Sequence, residues 1–77
     1  MNKDRRKRIE KLMGQIEEIK AQVEDLQSEE QEAFDNMPEG LQNSERGENT
    51  QAAADSLQEA FDALEQAFDS LENAVSN

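Results

Sequence analysis

Between Ala54 and Val75 the chain writes one heptad three times over, ADSLQEA, FDALEQA and FDSLENA, and Val75 opens a fourth. With Ala54, Phe61, Phe68 and Val75 at position a, Leu57, Leu64 and Leu71 fall at d, Ala60, Ala67 and Ala74 at g, and Asp55, Asp62 and Asp69 at b. Large apolar side chains spaced alternately by four and three residues line one side of a helix, which must then pack on another helix. Alanine at every g removes bulk beside that seam, which widens the apolar stripe and leaves room for a close approach or a second partner.

The first half carries a matching stripe at Ile9, Leu12, Ile16, Ile19, Val23 and Leu26. In the same register Glu30 takes the next a, Ala33 the next d and Met37 the a after that, so the stripe weakens toward mid-chain. Pro38 has no backbone N–H and disfavours helical geometry at the residue before it, which ends a helix near Met37. The spacing therefore predicts one helix over 3–37, a loop over 38–43 and a second helix over 44–75, all in a single domain, 1–77. Ser44 suits the N-cap of the second helix, although Gly47 stands where a capping box would have Glu or Gln.

Laid antiparallel, the two stripes pair Ile9 with Val75, Leu12 with Leu71, Ile16 with Phe68, Ile19 with Leu64, Val23 with Phe61 and Leu26 with Leu57. The two numbers of each pair add to 83 or 84, which centres the reversal at Leu41 and Gln42, beside the proline and glycine. The expected fold is all-α, an antiparallel two-helix coiled-coil hairpin. One such hairpin buries only part of each seam side chain. A homodimer closing into a four-helix bundle is expected to complete the core.

The residue types bound the chemistry. Among 77 residues there is no His, Cys, Tyr or Trp, no glycine-rich phosphate cradle and no buried setting that would perturb a carboxylate. No catalytic residue, cofactor site or metal site is expected. The run Asp35 to Arg46 has Asp and Gly at the first and sixth places of a calcium loop. Met37 stands third, however, and Arg46 twelfth, where a bidentate Glu belongs. The longest unbroken apolar run is Ala52 to Ala54, too short for a secretion signal or a membrane span, and a cytoplasmic location is expected.

Charge is divided along the chain. The first 20 positions hold seven of the eight bases and four acids, a net +3, while the other 57 hold 15 acids and Arg46, a net −14. Antiparallel pairing sets Glu65, Asp69 and Glu72 within reach of Arg5, Arg8 or Lys11, which favours that orientation. The cluster Arg5, Arg6, Lys7 and Arg8 could grip phosphates, yet no aromatic lies nearby to stack on a base, and the total of −11 repels a polyanion. Nucleic acid is not the expected partner. The competing reading is a nucleic-acid-associated or structural assembly protein that uses this basic N-terminus.

The run EEQEAFDNMPEGLQNSERGE, Glu29 to Glu48, with the SLQEAFDALEQAFDSLENA repeats after it, resembles small acidic coiled-coil hairpin proteins of bacterial, prophage and phage genomes. Any coiled coil matches the repeats, and the loop NMPEGLQNSERGE is the distinctive part. The resemblance implies a small non-enzymatic effector that binds a host protein and modulates or inhibits it. Met37, Leu41 and Arg46 are the loop's candidate contacts, because the seam does not use them. The row Asp55, Asp62 and Asp69 is a second candidate, a negative face able to imitate the phosphates of DNA.

Overall fold

Each long helix begins at a side-chain cap. In the computed structural model, which describes residues 1–77, Asn2 accepts a hydrogen bond from the Arg5 backbone N–H at 2.8 Å and starts α1, Lys3–Asp35. The α3 helix, Glu45–Ser76, starts at Ser44, whose hydroxyl oxygen accepts from the Gly47 N–H at 3.4 Å. Between them lies one helical turn, α2, Glu39–Gln42, and there is no strand.

The segment expected to be a plain loop is thus hydrogen-bonded throughout. The first helix ends at Asp35, two residues short of Met37, with the Asn36 N–H bonded to the Glu32 carbonyl at 2.9 Å and the Met37 N–H to the Phe34 carbonyl at 3.0 Å. Pro38 then supplies the carbonyl that takes the Leu41 and Gln42 N–H groups. The Gln42 side chain donates back to the Phe34 carbonyl at 3.0 Å, and the Ser44 hydroxyl donates to the Leu41 carbonyl. The Glu32 and Phe34 carbonyls of α1 and the Gly47 and Glu48 N–H groups of α3, otherwise orphaned at the helix ends, thus find partners inside the turn.

Gly47 explains the missing capping box. It is buried, and a Cβ there would collide with the Gln42 and Leu41 carbonyl oxygens, so only glycine lets α3 start this close beneath α2.

The molecule measures 58 × 15 × 13 Å, little longer than the roughly 50 Å of a 33-residue helix. The long helices therefore lie side by side and run in opposite directions. The Lys20 ammonium sits 5.4 Å from the centre of the Phe61 ring, and the Gln31 and Gln51 amides exchange two hydrogen bonds of 3.1 and 3.2 Å.

The face that α1 turns to α3 differs from the one the heptads predicted. Its partly buried positions include Ile9, Met13, Ile16, Lys20, Val23, Gln27 and Phe34, while Leu12, Ile19 and Leu26 stand 50, 48 and 53% exposed. On α3 the expected Leu57, Phe61, Leu64, Phe68, Leu71 and Val75 are all partly covered, and Ala54 is the one fully buried apolar residue. At the C-terminal end of α1 the partly covered residue is Phe34 and not Ala33, and covering a phenyl ring removes far more apolar surface than covering a methyl. The same face carries Met13, Lys20 and Gln27 inward and leaves Leu12, Ile19 and Leu26 on the flank.

Gly47→Ala should lower stability by about 1–3 kcal/mol, because the backbone atoms it meets cannot swing aside. Gly14 lies mid-helix with nothing within 4 Å of an added Cβ, and Gly14→Ala should raise stability by up to about 1 kcal/mol. Urea unfolding followed by circular dichroism checks both. Equal effects of the two substitutions would contradict the packing given to Gly47.

Candidate functional site

Two flanks of the helix pair differ in chemistry, and the Gln31–Gln51 pair marks which is which. Gln51 also donates to Asp55 at 2.9 Å, and Gln58 to Asp62 at 3.1 Å, so the Asp row runs along the flank that the glutamine pair bridges. Asp55, Asp62 and Asp69 are all exposed. Asp62 and Asp69, with Glu65 and Gln66, line an open surface cleft that contains no apolar residue.

Every carboxylate of α3 falls at heptad positions b, e or f, and the c and g positions from Asn49 to Ala74 hold only Asn, Ser and Ala. The opposite flank is therefore neutral and small on α3, with Ala60, Ala63 and Ala67 exposed. In an antiparallel pair equal heptad letters fall on the same side, so Leu12, Ile19 and Leu26 of α1 border those alanines.

The ion pairs expected between the helices are not formed. The two pairs present, Arg8 with Asp4 at 3.8 Å and Lys20 with Glu17 at 3.7 Å, both lie within α1. Neither Arg5, Arg8 nor Lys11 reaches Glu65, Asp69 or Glu72, because the turned α1 carries Arg8 and Lys11 outward to a surface cleft beside Leu12 and Gln15. No carboxylate of α3 is neutralised by a base of the chain.

The loop candidates divide. Met37 and Leu41 are partly buried in the turn, so part of their apolar surface already serves the fold. Arg46 is exposed and lines an open cleft with Glu30, Glu45, Asn49 and Thr50. It is the one loop candidate whose functional group is free to meet a partner.

Lys20 is a residue the heptad pattern passed over. Its side chain is 20% exposed, packed along Phe61 with the ammonium above the ring, and the heptad pattern carries no signal for it. No cluster of carboxylates is arranged to hold a metal ion, and no helix is long and apolar enough to cross a membrane. No family model, curated protein or solved structure matches the chain.

Lys20→Ala should cost about 0.5–1 kcal/mol through loss of the contact with Phe61, and Lys20→Arg should retain it. Urea midpoints of the two variants check this. An alanine variant as stable as the parent would remove the cation–ring contact from the account.

Proposed function

We propose that the chain is a non-enzymatic protein-binding module, an antiparallel coiled-coil hairpin that self-associates and binds a host protein through the acidic flank of α3. In the phage-like setting that its loop and repeats resemble, it is a small effector that modulates or inhibits that protein. The observation that carries this reading is the one-signed flank. Seven carboxylates from Glu48 to Glu72 stand at b, e and f with no base among them, and none is paired within the chain. A field of this kind speeds encounter with a basic surface and selects for it. A DNA-binding protein presents such a surface, and a DNA mimic is the sharpest form of the proposal.

The row Asp55, Asp62 and Asp69 is the core of the contact, and Arg46, at position g near the turn, is a separate candidate off that flank. Capture of partner from native cells by a tagged copy should fall at least tenfold, about 1.4 kcal/mol, when the three aspartates are changed to Lys. Capture should also fall when DNA or heparin competes. Arg46→Glu tests the turn separately with little disturbance, since the side chain is exposed. Loss with Arg46→Glu and persistence with the aspartate triple variant would move recognition to the turn. Normal capture by both would refute the acidic-flank reading.

The alternative use of the N-terminus makes a different prediction. Arg5, Arg6, Lys7 and Arg8 are exposed, but they belong to a chain of net −11. The protein should not retard DNA or RNA in a gel at physiological salt. A submicromolar shift that disappears when those four residues become Gln would establish the nucleic-acid reading in its place.

A further inference from the structure

The open flank of α1 has the chemistry of a surface made to meet its own copy. Leu12, Ile19 and Leu26 form an exposed apolar row with a spacing of seven, and Ile19 is the middle residue of the 33-residue α1, sixteen positions from Lys3 and sixteen from Asp35. Beside them runs a second row, Arg8, Gln15, Gln22 and Glu29, all exposed. Both rows are complementary to themselves when reversed. About a two-fold axis at Ile19, Leu12 meets Leu26, Ile19 meets its own copy, Arg8 meets Glu29 and Gln15 meets Gln22.

The charge of the whole helix follows the same symmetry. Residues 3–11 hold six bases and two acids, net +4, and residues 27–35 hold four acids and no base, net −4. Antiparallel overlap sets each +4 segment against a −4 segment, twice per dimer. A parallel arrangement would set like against like. The α3 helix agrees with the axis independently. Lys20 contacts Phe61, so Ile19 lies level with about Asp62, and the full g column, Ala53, Ala60, Ala67 and Ala74, is centred between Ala60 and Ala67 at nearly the same height. In an antiparallel pairing about that axis the two α3 helices would meet through alanines and serines, with their carboxylates pointing away.

We infer that the open flank of α1 is the interface with a second copy of this chain, joined antiparallel about a two-fold axis at Ile19. This rests on the self-association stated above and adds its register. The dimer is isologous, with full helix overlap, the two turns at opposite ends and both Asp rows on its outer surface. It is thus a bivalent rod, presenting the same acidic flank twice.

The chain has no cysteine, so a single Lys7→Cys substitution gives one spin label per copy on an exposed position outside the interface. Lys7 is 12 residues from the axis, and antiparallel overlap predicts a label separation of about 36 Å along the rod by dipolar spectroscopy. Side-by-side parallel helices would give about 10 Å. In parallel, Arg8→Glu should weaken dimerisation about fivefold or more, and Arg8→Glu with Glu29→Arg should restore it. A dimer with a short separation, or a charge swap that fails to restore association, overturns the register and leaves self-association standing. A chain that sediments as a monomer at hundreds of micromolar overturns self-association itself, and a flank covered only when a different protein is present assigns that row to the partner.

Discussion

Two helices laid side by side shield only the strip along which they touch, and that geometric constraint governs this protein. Every large seam residue of α3 keeps part of its surface in water, and among apolar residues only Ala54 is fully buried. With so narrow a strip, which face of α1 is turned inward decides what remains outside. Phe34 lies on the covered side, and an apolar row of Leu12, Ile19 and Leu26 stands half in solvent. Such a row is a free-energy deficit for an isolated chain and a docking surface for an assembled one.

Charge reinforces the division into flanks. Grouping the carboxylates of α3 at b, e and f keeps them off both the seam and the alanine side, so helix packing and solvation do not compete for the same surface. It also leaves them unneutralised, because seven of the eight bases lie on α1, where the two ion pairs present are both internal to that helix, and Arg46 of α3 forms none. Exposed ion pairs add about 0–1 kcal/mol each, so the absence of pairs between the helices costs the fold little while preserving a negative face.

Helix type and the position of the reversal could be read directly from the residues, because heptad spacing and proline act locally and admit few alternatives. Three details could not. The rotation of α1 covers Phe34 and not Ala33, which a rule of alternating a and d positions does not predict. Gly47 looked like a lost cap because its reason is a through-space approach of the Leu41 and Gln42 carbonyls. The turn is ordered by the Gln42 amide reaching the Phe34 carbonyl, a contact eight residues apart that propensity does not encode. Among the candidate contacts, the Asp row was legible because a period of seven forces it to one side of a helix. Met37 and Leu41 were judged free only because the seam did not claim them, and the turn makes use of both.

The central claim is that one flank of the helix pair is completed by a second copy along its full length, and small-angle X-ray scattering tests this most directly. Full overlap predicts a forward-scattering mass of about twice 8.7 kDa with a maximum dimension still near the 58 Å of a single chain. A particle of single-chain mass, or one of doubled mass and markedly greater length, would contradict it.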